Sequence, residues 1–167
     1  MDAPLPPSIP LPADPAAAPV DVLVIGGGPA GTTAATLLAR KGWHVVLLEK
    51  GVHPHFHIGE SLLPMNLPIL ERLGVLDRVR EIGVFKPGAD FPLQDEANSV
   101  NVFRFDRALN PVFPHAYQVK REEFDHLLFE NARDSGVDAR MQVAVEKVEL
   151  GADGRPATVH ARTATGD

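Results

Sequence analysis

The sequence contains no cysteine among its 167 residues. Disulfide bonds, zinc–thiolate sites and cysteine nucleophiles are therefore excluded from this chain. It also lacks a run of about 18 apolar residues, the length that a membrane-spanning helix requires. Its first residues lack the basic and apolar regions of a secretory signal peptide. These absences predict a cytoplasmic protein with no membrane partner.

The sequence has no excess of positive charge. The formal net charge is −6, and basic side chains form no stripe, which disfavours a nucleic-acid partner. Hydrophobic residues make up 44% of the chain, enough to build the core of about one domain. Residues 1–19 are mostly proline and alanine, and we expect them to form a disordered tail. A partner-binding polyproline segment is the alternative. Residues 20–167 then form the folded domain.

The most informative stretch runs from Val20 to Lys50. An apolar run at Val20–Ile25 predicts a parallel strand buried on both faces. A glycine-rich turn, an alanine-rich helix over residues 30–41 and a second apolar strand at 45–48 follow, with Gly42 ending the helix. This order is the βαβ unit that binds an adenine dinucleotide. The alternative is a glycine turn that only connects strand to helix.

The glycine turn has the spacing that dinucleotide binding requires. Gly26 permits the tight turn, Gly28 lets the backbone approach a pyrophosphate, and Gly31 lets the helix pack on the strand. Pro29 suits the first helical turn, and Ala30 follows it at the positive helix end that faces the phosphates. We therefore predict cofactor contacts at Gly26, Gly28, Pro29, Ala30 and Gly31.

An acidic residue closes this unit. Glu49 follows Gly31 by 18 positions, at the end of the second strand and just before Lys50. A carboxylate there accepts hydrogen bonds from both ribose hydroxyls and repels a 2′-phosphate. We therefore expect FAD or NAD rather than NADP, with Glu49 and Lys50 in the cofactor site.

Three histidines at spacing two, His53, His55 and His57, invite a metal site. Pro54 interrupts the segment, and no acidic or cysteine partner lies nearby in sequence. We interpret the segment as a polar loop over the cofactor and predict no metal.

The next segment, Gly-Glu-Ser-Leu-Leu-Pro at residues 59–64, carries a family resemblance. This segment follows a G-x-G-x-x-G unit that ends in a glutamate. Together they resemble the flavin-dependent halogenases of the tryptophan-halogenase type, which belong to the FAD-dependent monooxygenases. Residues 85–91 are similar to that family's lysine-bearing strand, and residues 117–125 to its strand-to-helix entry. The resemblance covers about residues 20–150.

The resemblance implies an α/β fold: a Rossmann-like, three-layer FAD-binding fold of the glutathione-reductase type with an inserted antiparallel β segment. Local patterns agree with it. They predict helices over residues 65–74, 75–83 and 121–135, strands at 99–106, 115–120 and 137–142, and a hairpin of 143–150 with 157–163 that turns at Asp153-Gly154. We expect the inserted strands to form one sheet over the active site.

The resemblance gives Lys86 a catalytic role. In the halogenases, a flavin hydroperoxide and chloride give hypochlorous acid, which the matching lysine captures or hydrogen-bonds and delivers to an aromatic substrate. The alternative is an ordinary surface lysine at the end of a strand.

The resemblance also implies further FAD contacts. Arg121 is expected near the ribityl chain or pyrophosphate, where a guanidinium fork suits oxyanions, and Gln118 near the same region. Glu60 and Ser61 are expected on the flavin side. The alternatives are a surface pair of Arg121 with Asp125 and a structural cap by Glu60.

The chain lacks two motifs of this family, a later Gly-Asp stretch and Trp-x-Trp-x-Ile-Pro, and its one tryptophan is Trp43. We therefore expect the truncated, N-terminal part of a longer two-domain enzyme, with an exposed sheet edge. The expected partners are an aromatic substrate, a halide and a separate flavin reductase. An FAD-dependent aromatic hydroxylase, a geranylgeranyl-reductase-like oxidoreductase and a non-catalytic nucleotide-binding module remain the alternatives.

Overall fold

The computed structural model describes residues 20–92, 100–109, 113–152 and 155–163. The helices are α1 (Pro29–Ala39), α2 (Leu67–Arg72), α3 (Leu76–Ile82) and α4 (Arg121–Asp134). The strands are β1 (Val22–Ile25), β2 (Val45–Leu48), β3 (Val84–Lys86), β4 (Gly88–Pro92), β5 (Val100–Arg104), β6 (Ala116–Gln118), β7 (Asp138–Arg140), β8 (Val143–Glu149) and β9 (Thr158–Thr163).

A parallel sheet of order β1-β2-β7 carries the glycine turn. Strand β2 lies in the middle, and all four of its residues are buried. The prediction that β1 is buried on both faces is wrong: its residues are only half-buried, and Ile25 is 54% exposed. The reason is its place in the sheet, since β1 pairs with β2 alone among the described strands. The third strand, predicted at 137–142, is confirmed as β7.

Each face of this sheet is covered. Helices α1 and α4 pack on one face, where Val45, Leu47 and Phe129 form a core with alanines of both helices. Strand β8 covers the other face, where Val143 packs against Val46 and Leu48. Because β2 alternates its side chains between the two faces, it contributes to both cores. The result is the three-layer arrangement that the family resemblance implied.

A third core lies beside the sheet, under the Gly-Glu-Ser segment. It is built from α2, α3, β6 and the first half of α4, with Leu67, Leu73 and Val79 fully buried. The predicted helix over residues 65–74 divides into a short 3-10 turn at Pro64–Asn66 followed by α2. The helix predicted over residues 121–135 is confirmed as α4, and its apolar side chains pack into two of these cores: Phe124 and Leu128 face this one, while Ala132 faces the sheet.

The inserted β segment differs from the expected single sheet. Strand β3 pairs with β6, and β4 pairs with β5, as two separate antiparallel pairs. Local alternation of side chains predicts a strand but not its partner. The Gly-Glu-Ser segment adds to the first pair, because Ser61 bridges Gln118 on the other edge of β6.

The last two strands, β8 and β9, form the predicted antiparallel hairpin. Its turn at Asp153-Gly154, the tail at residues 1–19, and Ser99 lie outside the described residues. Within the ranges described above, no helix has the length and apolar character needed to cross a bilayer.

Candidate functional site

The glycine turn between β1 and α1 is shaped by close backbone packing. Gly26 has a φ of 101°, in the left-handed region that favours glycine, and its N–H donates to the carbonyl of Leu48 at 2.8 Å. A Cβ on Gly31 would lie only 2.0 Å from the carbonyl oxygen of Gly26. The backbone geometry of the turn therefore requires glycine at both positions, Gly26 and Gly31.

The N-terminal end of α1 is left open. Gly28 precedes Pro29 as the N-cap residue and provides no side-chain cap, so the first N–H groups of the helix have no such acceptor. A Cβ built on Gly28 would meet nothing within 4 Å. Free N–H groups, the positive helix end and open space fit a pyrophosphate.

Glu49 lies beside this turn with its carboxylate buried. Its Oε2 accepts the N–H of Gly27 at 2.6 Å, and its Oε1 accepts the N–H of Gly51 at 2.7 Å. Burial raises the pKa of Glu49, but these two hydrogen bonds and the neighbouring His53 and His55 outweigh it, so the pKa lies below the ordinary value. Each oxygen keeps a second lone pair for a ribose hydroxyl. The ribose contact stays a prediction.

His53 is a residue whose role the sequence did not reveal. It is buried, and its Nε2 lies 3.1 Å from the carbonyl oxygen of Gly27. Since a carbonyl only accepts, Nε2–H donates. Gly27 is thus held at its N–H by Glu49 and at its carbonyl by His53. The interpretation as a polar loop misses this burial, because spacing alone does not show that the loop folds back under the turn.

The three histidines contact one another in sequence order, with His53 stacked on His55 and His57 packed edge to face against His55. The His53 and His55 ring centroids lie 4.7 Å apart, and the Nε2 atoms of His55 and His57 lie 2.7 Å apart. Within the described ranges, no group of three or more histidine or acidic residues is arranged to hold a metal ion.

A cleft of about 550 Å³ opens next to the start of α1. It brings together Pro29 and Ala30 of the glycine turn, Gly59 and Leu62 of the Gly-Glu-Ser segment, and Arg121. The remainder of its wall is mostly the apolar surface of α1, α2 and α4, to which Thr33 and Asn66 add polar groups. The apolar residues are Ala34, Leu37, Ile69, Leu70, Phe124 and Leu128. Residues far apart in sequence thus line one cleft, as the prediction of a shared cofactor site requires.

Arg121 forms an ion pair with Asp125 and lines the cleft, and its contact with FAD stays a prediction. Its Nε and Nη2 each donate to a carboxylate oxygen of the fully buried Asp125 at 2.8 Å, and its Nη1 donates to the carbonyl of Ile58 at 2.8 Å. The hydrogen bond to Asp125 raises the pKa of Arg121. Arg121 therefore pairs with Asp125, holds the Gly-Glu-Ser segment and lines the cleft at the same time.

Lys86, at the end of β3, reaches the same segment. Its Nζ donates to the hydroxyl of Ser61 at 2.5 Å and to the carbonyl of Leu62 at 3.3 Å. Leu62 itself lines the cleft, so Lys86 is anchored at the wall of the predicted cofactor site.

The remaining predicted contacts, Lys50, Glu60 and Gln118, are exposed. Gln118 pairs with Val84 of β3, and the carbonyl of Glu60 accepts the N–H of Val119 at 2.9 Å. The backbones of Glu60 and Gln118 position the Gly-Glu-Ser segment. Contacts of the Lys50, Glu60 and Gln118 side chains with a cofactor stay predictions.

Comparison with protein families identifies the class of this fold. Residues 19–167 match the family described as FAD binding domain. Flavin-dependent halogenase armH3 of Armillaria mellea is 44% identical over 135 residues, covering 80% of this chain and 26% of that protein. Tryptophan 2-halogenase of Chondromyces crocatus is 38% identical over 148 residues, covering 87% and 27%. The chain thus spans about a quarter of the length of these relatives.

Solved structures give the same fold. The myxobacterial chondrochloren halogenase CndH has a TM-score of 0.80 at 37% identity, covering 89% of this chain and 34% of that one. A flavoprotein/dehydrogenase from Cytophaga hutchinsonii also has a TM-score of 0.80, at 36% identity, covering 89% and 36%. These likenesses confirm the Rossmann-like FAD-binding fold.

Proposed function

Because the chain belongs to the FAD-binding domain family, we propose that it is the cofactor-binding part of a flavin-dependent halogenase. The family confirms FAD, rather than NAD, as the cofactor expected at the glycine turn. The observation that carries the proposal is the position of Lys86, whose ammonium group is bound by Ser61 and Leu62 beside the cleft. The similarity to halogenases from a fungus and a myxobacterium supports it.

The residues of the turn fit the adenosine and pyrophosphate parts of FAD. The open N–H groups at the start of α1 bind the pyrophosphate, and the ionised Glu49 binds the ribose. Arg121 presents its guanidinium edge to the ribityl chain or pyrophosphate from the other side of the cleft. The apolar helix surfaces of the cleft keep water away from that end of the site.

When bound and reduced, FAD supplies the oxygen chemistry that converts chloride to hypochlorous acid. Lys86 then handles this product in one of two ways. As a neutral amine it attacks chlorine: the N–Cl bond forms, the Cl–O bond breaks, and the amine proton leaves with hydroxide as water. As an ammonium ion it donates a hydrogen bond to the oxygen of hypochlorous acid. Either route delivers electrophilic chlorine to an aromatic substrate. A separate flavin reductase supplies the reduced flavin.

A second candidate is an FAD-dependent hydroxylase or reductase, and one observation favours it. The Cytophaga flavoprotein/dehydrogenase has the same TM-score as CndH. The two candidates share the glycine turn, Glu49 and Arg121. They differ in whether chloride enters the product and whether Lys86 is needed.

Replacing Lys86 tests the halogenase proposal. In an assay of the whole enzyme to which this cofactor-binding part is proposed to belong, with FAD, flavin reductase, NADH, chloride and indole, phenol or pyrrole substrates, we expect Lys86→Ala to lower chlorinated product at least about 100-fold. The FAD affinity should stay unchanged. Lys120→Ala is the matched control, because Lys120 pairs with Glu123 on an exposed surface and should not affect product. Undiminished chlorination by Lys86→Ala would refute the role of Lys86. Hydroxylated product without chloride dependence would support the second candidate.

A further inference from the structure

The Ser61 hydroxyl lies against the side-chain nitrogen of Lys86. Its Oγ is a hydrogen-bond acceptor for Nζ, at 2.5 Å, and the adjacent carbonyl of Leu62 is a second acceptor at 3.3 Å. The ring of the buried Phe105 lies 5.3 Å from the same nitrogen, a distance at which the face of an aromatic ring attracts a cation. The Lys86 nitrogen therefore has three neighbours that together fix its position.

Backbone hydrogen bonds hold these neighbours in register. The N–H of Leu62 donates to Tyr117 at 3.0 Å and the N–H of Val119 donates to Glu60 at 2.9 Å, which joins the segment to one edge of β6. Strand β3 pairs with the other edge, with Lys86 opposite Ala116. Opposite residues of an antiparallel pair share a face, and the small side chain of Ala116 lets the lysine cross β6 to reach Ser61.

We propose that Ser61 is a positioning residue for Lys86, in place of the flavin contact that the sequence predicted for it. A hydroxyl group suits this role because it accepts a hydrogen bond from an ammonium group and donates one to a neutral amine. Ser61 thus keeps the Lys86 nitrogen in one place in both protonation states. The importance of this for the reaction rests on the proposed function, whereas the positioning itself does not.

The exchange of the Lys86 ammonium protons measures the positioning directly. In ¹⁵N-lysine-labelled protein, NMR detects ammonium groups whose protons exchange slowly because they are hydrogen-bonded, and the Lys86 signal is the one missing from Lys86→Arg. We expect Ser61→Ala to accelerate exchange about tenfold or abolish the signal, because a charge-assisted hydrogen bond is lost. Ser61→Thr, which keeps the hydroxyl, should restore it. Ser135→Ala is the control, because this hydroxyl contacts Arg40 at the far end of α4.

The chlorination activity of the whole enzyme distinguishes a role of Ser61 in positioning Lys86 from a role in binding the cofactor. We expect Ser61→Ala to lower kcat for chlorination about 10- to 100-fold and change its pH profile, with FAD affinity, KM for the aromatic substrate and melting temperature unchanged. Unchanged ammonium exchange in Ser61→Ala would overturn the proposal. Weakened FAD binding with unchanged exchange would also overturn it, and would make Ser61 a cofactor contact. If Lys86→Ala still chlorinates, the proposed function fails, but the exchange measurement still decides whether Ser61 positions Lys86.

Discussion

At the scale of single residues, Gly27 is the point on which the turn depends. Glu49 accepts its N–H and His53 donates to its carbonyl, so both backbone polar groups of this residue are bound by the segment that follows β2. Burial lowers the pKa of His53, with a contribution from His55, and this outweighs the opposing effects of Gly27, Glu49 and Asp125. His53 therefore stays neutral at pH values where an exposed histidine begins to take up a proton.

Neutral His53 gives the fold a pH dependence. The unfolded chain takes up a proton near the ordinary histidine pKa of about 6.5, whereas the folded chain takes it up only at lower pH. The contribution of His53 to the free energy of unfolding is therefore full above about pH 6.5 and is lost as the pH falls through the folded-state pKa. Glu49, whose pKa is also lowered, loses its contribution only below the ordinary glutamate pKa of about 4.5.

We expect His53→Gln to remove much of the stability loss between pH 7.5 and 5.5, measured by urea unfolding. The glutamine amide N–H still donates to Gly27 but does not titrate. Equal losses in both proteins would show that other groups cause the pH dependence. His44→Gln is the control, because His44 is an exposed histidine.

Of the two residues that hold Gly27, the sequence predicted Glu49 but not His53. The position of Glu49 follows from its distance to the glycine motif, because strand and helix lengths fix that geometry. The contact of His53 depends on a loop that folds back under the turn and on Phe129 of a distant helix, 5.1 Å away. No local pattern contains that information.

At the scale of elements, the helices are connected at their C-terminal ends by Arg40, which caps α1. Its two Nη atoms donate to the carbonyls of Arg72 and Leu73 at 3.0 and 2.9 Å, and its Nε donates to the hydroxyl of Ser135 at 3.3 Å. The last carbonyls of a helix have no partner within that helix. Arg40 supplies donors to the end of α2 and contacts the end of α4.

We expect Arg40→Ala to lower the free energy of unfolding by about 1–3 kcal/mol, because carbonyls at a helix end lose charged donors. Arg40→Lys should recover only part of this, since lysine lacks the planar fork that reaches several acceptors. Urea unfolding measures both, with Arg78→Ala of the exposed face of α3 as the control. An effect of Arg40→Ala no larger than that of Arg78→Ala would refute this role.

Patterns in the sequence predicted helices and strands better than their assembly. Helix α4 could be predicted from its regularly spaced apolar residues, and β2 from its continuous apolar run, because both elements pack into the cores. The division of the inserted strands into the pairs β3–β6 and β4–β5 does not follow, since pairing depends on distant segments. The cleft between α1, α2 and α4 could not be predicted from the sequence either, because its walls come from distant segments.

At the scale of the whole molecule, the chain matches an FAD-binding domain family over residues 19–167. It spans about a quarter of the length of its halogenase relatives. Apolar side chains on the inserted strands are largely exposed, with Val84 at 70%, Phe85 at 60% and Val102 at 59%. We propose that the glycine turn, the start of α1 and Glu49 form the adenosine and pyrophosphate site for FAD.

The measurement that tests this claim most directly is a calorimetric and fluorescence titration of the chain with FAD, and separately with NADH and NADPH. Gly28→Ala is the matched variant, because its Cβ meets nothing within 4 Å and its backbone φ of −76° suits alanine, so the fold is preserved. We predict FAD binding in the micromolar range, no nicotinamide binding, and at least about tenfold weaker FAD binding by Gly28→Ala at an unchanged melting temperature. Binding of a nicotinamide cofactor in place of FAD, or FAD binding that Gly28→Ala leaves unchanged, would contradict the account.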